Sequence, residues 1–117
     1  MVMIHGIGID AVDVRRFKAA MDRRGQGFLT RLFTEAELGY CMKKAHPERH
    51  LAARFAAKAS VLKALGRAFG FKGIEISSFA SGAPMVKASG LKGLRCSVSL
   101  AHDDAVAIAE AVVEKDE

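Results

Sequence analysis

The side chains best suited to chemistry in this sequence are cations. Arg54 and Lys58 stand four residues apart in the stretch His50–Gly66, and Lys63 and Arg67 repeat that spacing. Four residues is about one turn of an α-helix, so each pair shares a face. Clustered ammonium and guanidinium groups bind anions and offset negative charge that builds on an oxygen as a bond breaks. A second set lies upstream: Arg15, Arg16, Lys18, Arg23, Arg24 and Arg31, with Asp22 the one acid among them. Phe28, Leu29 and Leu32 are interleaved there, a mixture that suits a docking surface better than a solvated face. Residues 1–67 hold thirteen Lys and Arg against six Asp and Glu, whereas residues 68–117 hold five against seven. That asymmetry calls for an anionic partner met by the first half: nucleic acid, a phosphorylated cofactor or an acidic protein.

Other chemistry is disfavoured. His5, His46, His50 and His102 show no zinc-ligand spacing. Cys41 and Cys96 lie far apart without a CxxC pattern and read as reduced thiols of a cytoplasmic protein. Gly6 and Gly8 lack the third glycine of a dinucleotide fingerprint. One Tyr and no Trp leave a single-strand nucleic-acid binder without aromatic platforms. No apolar run is long enough to span a membrane, and MVMIHGIGID lacks the basic leader and cleavage site of a signal peptide.

The elements that must position these groups follow from local pattern. Half of the 117 residues are hydrophobic, which suits one globular domain over residues 1–117. Val2, Ile4, Ile7, Ile9 and Val12 suit a strand, with Asp10 ending the apolar run and Gly6 and Gly8 permitting close backbone approach. Asp13 is placed to cap a helix starting at Val14 or Arg15 and carrying Phe17 and Met21, which Gly25 and Gly27 break. Thr34 and Glu37 form a capping box that opens a helix from Glu35 to about Lys44. His50–Gly66 predicts a long helix with Leu51, Phe55, Ala59, Leu62 and Gly66 as its apolar stripe, and Gly66 as its end. Ile74–Ile76 and Met85–Ala88 predict a hairpin around the turn at Ser81–Pro84. Cys96–Ala101 and Ala105–Val113 predict two further paired strands joined through His102, Asp103 and Asp104. This order reads as α+β, with helices packed on a small, mainly antiparallel sheet.

GIGID near the start, RLFTEAEL, LAARFAAK…KALG and SVSLAH occur in this order along nearly the whole chain. In that combination the sequence resembles the holo-acyl-carrier-protein synthases, small 4′-phosphopantetheinyl transferases of bacteria. The resemblance implies transfer of the phosphopantetheine arm of coenzyme A to a serine of acyl carrier protein, an acidic partner, in fatty acid biosynthesis. It implies a magnesium ion held by Asp10 and coenzyme phosphates met by Arg54, Lys58 and Lys63, with Gly66 nearby. Lys63 would also act in catalysis with Asp10. Gly82 and Pro84 would lie near the adenine, and His102 would touch the coenzyme. Arg16, Arg23 and Arg24 would dock the carrier protein. Glu35 matches an acidic position near the family's site, although helix capping accounts for it equally well. The family is usually a homotrimer whose active sites are shared between subunits, an arrangement that would let Asp10 and the long helix come from different chains.

The chain departs from that family at one chemically important place. Where the family reads RFAAKEA, this sequence reads RFAAKAS, so Ala59 stands where a metal-binding glutamate is usual. Alanine offers no oxygen, and Ser60 lies about 100° further round a helix. Gly66-Arg67-Ala68 likewise replaces a GTG-like turn. An impaired enzyme, or a relative that binds coenzyme or carrier without catalysis, is the expectation this raises. A basic nucleic-acid-binding module is the alternative of another class.

Overall fold

Gly6 and Gly8 decide how the long helix meets the sheet. A Cβ on Gly6 would overlap the carbonyl oxygen of Ala64, and one on Gly8 would overlap that of Ser60. Both glycines lie on β1 (Val2–Asp13), whose backbone runs directly against α4 (Pro47–Leu65). The helix answers with small residues of its own: Ala53, Ala56, Ala57, Ser60 and Ala64 are all buried. The computed structural model describes residues 1–66, 70–78 and 80–116. Arg67 and Ala68, singled out in the loop after the long helix, lie outside that set.

Two antiparallel sheets surround α4. One has the order β1-β5-β4, with β4 at Leu94–His102 and β5 at Val106–Asp116. The other is the hairpin of β2 (Ile74–Ser78) and β3 (Pro84–Ala88). Ala107, Ala109, Ala111 and Val113 of β5 face inward and are buried. Val106 and Ile108 face outward and pair with Asp13 and Ala11 on β1, while exposed Ile7 and Ile9 extend that outer face. The β1 side of this outer face therefore carries an exposed apolar patch, while Glu110, Ser97 and Ser99 make the β4 side polar.

Three helices precede α4. Asp13 caps α1 (Val14–Arg24), accepting from the Arg16 amide at 3.1 Å. Gly25, at φ 71°, ends α1, but Gly27 does not break the chain: it lies within α2 (Gln26–Leu32). Both glycines face open space. A glycine in a helix costs about 1 kcal/mol relative to alanine, and burial of Leu29 on that helix offsets it. The Thr34 capping box is formed at the start of α3 (Glu35–Cys41), which ends about three residues short of the expected boundary at Lys44. Pro47 opens α4, and Gly66 closes it in the left-handed conformation at φ 72°.

The stripe read from α4 needs correction. Leu51 is buried, but Phe55, Ala59 and Leu62 are only half-buried, and Gly66 is exposed. The deeply buried positions run nearly all round the helix and include Arg54, Lys58 and Ser60. Both sheets, α1 and α3 pack on it, so the helix has little of the one-sided amphipathicity that a stripe assumes. Asp10 lies inside β1, which continues three residues beyond it, and pairs with Ala109. Among the described residues, no helix is long and apolar enough to cross a membrane.

Candidate functional site

Three places carry chemistry. The first joins β1 to α4. Lys63 Nζ lies 3.0 Å from Asp10 Oδ1 and donates at the same distance to the Ile9 carbonyl. The strand's contact with α4 at Gly8, against Ser60 and Lys63, brings these groups together. Ala59 sits one turn before Lys63 on the same helix. Among the described residues, no group of three His, Cys, Asp or Glu side chains is arranged to hold a metal ion.

The second place is a cleft of about 200 Å³ between α3, α4, the β2–β3 hairpin and the end of β4. Arg54, His102, Gly82 and Pro84 line it together with Tyr40, His50 and Ser77. Arg54 is 8% exposed. Its guanidinium carbon lies 4.5 Å from the centre of the Tyr40 ring, a cation–π contact. No carboxylate among the described residues forms an ion pair with it, and its buried Nε has no hydrogen-bond partner. The Ser77 hydroxyl is likewise buried without a partner. A buried cation that lacks its anion is costly, and an anionic ligand in this cleft would offset that cost.

The third is an apolar groove of about 580 Å³ between α1, α2 and α4. Phe17, Phe28, Leu32, Phe55 and Phe71 line it, and Arg16 and Arg23 stand among them. Arg24 lies beside the groove with its guanidinium over the Phe28 ring at 5.2 Å. Leu29, read with the docking residues, instead turns into the core.

Comparison with known proteins agrees with this architecture. Residues 6–111 match the family model described as the 4′-phosphopantetheinyl transferase superfamily. The chain belongs to that superfamily. It is 40% identical over 113 residues to a holo-[acyl-carrier-protein] synthase of Thermodesulfovibrio yellowstonii, covering 95% of this chain and 99% of the relative. It is 42% identical over 125 residues to one of Caldicellulosiruptor saccharolyticus, covering 98% and 100%. Its fold resembles the Neisseria meningitidis holo-[acyl-carrier-protein] synthase at TM-score 0.88 and 33% identity, covering 97% of this chain and 100% of that one. The Bacillus anthracis enzyme, solved in complex with CoA (3′,5′-ADP), matches at TM-score 0.86 and 29% identity, covering 97% and 99%.

Against that family background, Arg54, Lys58 and Lys63 of α4 do not come together around one phosphate site. Lys58 is sealed in the core. Its Nζ lies 2.6 Å from Glu37 Oε1 and donates to the Leu32 carbonyl at 2.8 Å. Burial pulls its pKa below the ordinary lysine value, while Glu37 pulls it back up. A phosphate cannot reach it, so the expected coenzyme contact at Lys58 is replaced by a structural ion pair. Arg54 and Lys63 are nine residues apart, which puts them on opposite faces of the helix and roughly 13 Å apart along its axis. Gly66 is about 18 Å from Arg54 along α4, at the Lys63 end, and caps the helix. Asp10 meets the long helix of its own chain, at Lys63, so that pairing needs no second subunit. Glu35 is exposed in the first turn of α3.

Tyr40, His50 and Ser77 join the candidate site only through the fold, as lining of the same cleft. His50 stands one turn before Arg54, and that spacing was a usable signal. Nothing local placed Tyr40 or Ser77 across from them. The two cysteines carry no nucleophile. Burial pushes the Cys41 and Cys96 thiols up to about 11, so both stay protonated near neutral pH.

Proposed function

We propose that this chain is a holo-acyl-carrier-protein synthase, moving the 4′-phosphopantetheine arm of coenzyme A to a serine of apo-acyl carrier protein in fatty acid biosynthesis. The serine oxygen forms a bond to the phosphorus that bears the arm. The bond from that phosphorus to the bridging oxygen breaks, 3′,5′-ADP leaves, and the serine proton passes to a base or to water. The observation that carries this reading is the buried Arg54 guanidinium, without an anion, in a cleft shared with His102, Gly82 and Pro84. That chemistry suits the phosphates and base of a nucleotide. Lys63, exposed beside Asp10, supplies positive charge for the oxygen that leaves. The groove with Arg16 and Arg23, and Arg24 beside it, suits an acidic carrier protein that also offers an apolar side chain.

Arg54 and Lys63 on opposite faces of one helix do not surround one coenzyme molecule. We therefore read the enzyme as a homotrimer of single-domain chains, residues 1–117, with the Arg54 cleft of one subunit facing the Asp10–Lys63 pair of the next. The exposed apolar face of Ile7, Ile9 and Ile108 suits contact between copies. The reading includes a cytoplasmic protein. Magnesium, implied by the resemblance, would find Asp10 here, one of whose oxygens already accepts from Lys63; Ala59 adds no oxygen, and the described residues hold no group of three metal-ligating side chains. The residues present do not by themselves make a site for it, and no step above passes through one.

The test is mass spectrometry of apo-acyl carrier protein after incubation with this chain, coenzyme A and magnesium salt. The expected result is gain of one phosphopantetheine mass on the carrier. No gain, alongside retained binding of 3′,5′-ADP, would instead establish a coenzyme-binding relative without catalysis, the second reading that Ala59 favours.

A further inference from the structure

The Arg54 cleft contains a pair of imidazoles. His50, from the first turns of α4, and His102, at the end of β4, meet edge to face with ring centroids 4.9 Å apart. Both rings line the same cleft as two buried polar groups without a partner among the described residues, Arg54 Nε and Ser77 Oγ. His50 stands one turn before Arg54, so its ring and the guanidinium share a face of the helix. Tyr40 also lines the cleft, its ring against the same guanidinium. A cation, a hydroxyl and two imidazoles around one small cavity form a set of donors suited to a phosphate group.

We infer that His50 is a further phosphate-binding residue of this cleft, and that it takes up a proton as the phosphate enters beside Arg54 and Ser77. The inference rests on reading the cleft as the nucleotide site of the coenzyme. The charged and titratable neighbours decide the sign. Lys44 approaches from the segment after α3, Arg54 and Glu48 from α4, and His102 from β4. Arg49 and His102 in turn act on Asp103 in the β4–β5 turn. Burial first, then His102, Lys44 and Arg54, hold the free His50 ring below its ordinary pKa, with Glu48 opposing. Without a ligand the ring is therefore neutral near pH 7. An anion placed among these cations removes the repulsion and favours imidazolium.

His50 thus has a higher pKa in the complex than in the free protein. The added affinity is fully present below the free value and is lost as pH rises through the bound value. A phosphate monoester takes its own second proton near pH 6 and weakens below that. Affinity is accordingly expected to peak at about pH 6–7 and to fall toward about pH 8.5.

The experiment follows the His50 ring by NMR in a pH titration, free and saturated with 3′,5′-ADP, using His50→Phe to assign its signal. The expected result is a midpoint raised by about one pH unit or more on saturation. His50→Phe, which keeps a flat ring against His102, and His50→Asn should each bind 3′,5′-ADP several-fold more weakly at about pH 6.5. The difference should shrink toward about pH 8.5. A His50 midpoint that does not move while 3′,5′-ADP saturates the protein would overturn the inference and leave the nucleotide cleft standing. Failure of 3′,5′-ADP to bind, or equal binding by Arg54→Leu, would overturn the nucleotide reading and this inference with it.

Discussion

Lys58 Nζ lies 2.6 Å from Glu37 Oε1, and neither side chain touches solvent. Glu37 Oε1 also accepts from the Thr34 amide at 2.8 Å, and Oε2 accepts from the Ile76 amide at 2.9 Å. One carboxylate thus ties the start of α3, the middle of α4 and strand β2 together. Removing one partner of a buried pair costs about 3–5 kcal/mol, because the other charge is left uncompensated. Lys58→Met should lose about that much stability in urea unfolding. Lys58→Met combined with Glu37→Gln should cost less than the sum of the single changes. A Lys58→Met loss below about 1 kcal/mol would mean that the pair does not anchor the core.

Position 59 lies one turn before Lys63 on the same face of α4. Ala59→Glu puts a carboxylate one turn before Lys63, near Asp10, and supplies the second oxygen ligand that a magnesium ion wants. Transfer to apo-acyl carrier protein at millimolar magnesium is expected to rise on the order of 100-fold, the usual size of an acid–base or metal-positioning contribution. Equal rates for the two proteins would show that Ala59 is not what limits catalysis.

The docking groove and the nucleotide cleft should separate by mutation. Arg16→Glu reverses charge at the groove of α1 and should weaken carrier-protein binding while leaving 3′,5′-ADP binding unchanged. Arg54→Leu should do the opposite, weakening 3′,5′-ADP by roughly tenfold to a hundredfold for loss of a charge-assisted contact. Calorimetric titration of each variant with both ligands checks this. Parallel loss of both ligands in either variant would merge the two surfaces into one.

Gly8 has no room for a side chain. A methyl group there would strike the Ser60 carbonyl and approach Lys63 Cβ at 2.9 Å, both belonging to α4. Overpacking costs about 1–3 kcal/mol where neighbours can yield, and here the obstacle is helix backbone. Gly8→Ala should therefore lower stability by at least that amount in thermal or urea unfolding. It should also lengthen the Asp10–Lys63 contact, which a crystal structure of the variant would measure. Unchanged stability would mean that β1 and α4 do not need their close approach.

Much of the fold was legible in local sequence. Asp13, the Thr34–Glu37 box and Gly66 mark helix ends because each meets an orphaned backbone group or a special dihedral within a few residues, whereas α4 starts at Pro47, three residues before the expected His50. The paired strands after α4 were equally readable from alternation and turn residues. Helix α2 was not, because Gly25 and Gly27 look like breakers, and only the burial of Leu29 against the core overrides them.

The site divides in the same way. The sequence by itself determined that Arg54, Lys58 and Lys63 ride one helix, that Ala59 lacks an oxygen beside Lys63, and that Arg16, Arg23 and Arg24 gather near apolar residues. Helical spacing even put Arg54 and Lys63 on opposite faces, since nine residues make about two and a half turns. Only the tertiary structure decided what each face meets. Lys58 is about 40° round the helix from Arg54, yet it finds Glu37 and is sealed, while Arg54 finds Tyr40, Ser77 and His102 and is left without an anion. Those partners come from segments 14 to 48 residues away, and no local pattern encodes contacts of that range. Two cations of similar chemistry therefore part, one tied into the core by Glu37 and one facing a cleft.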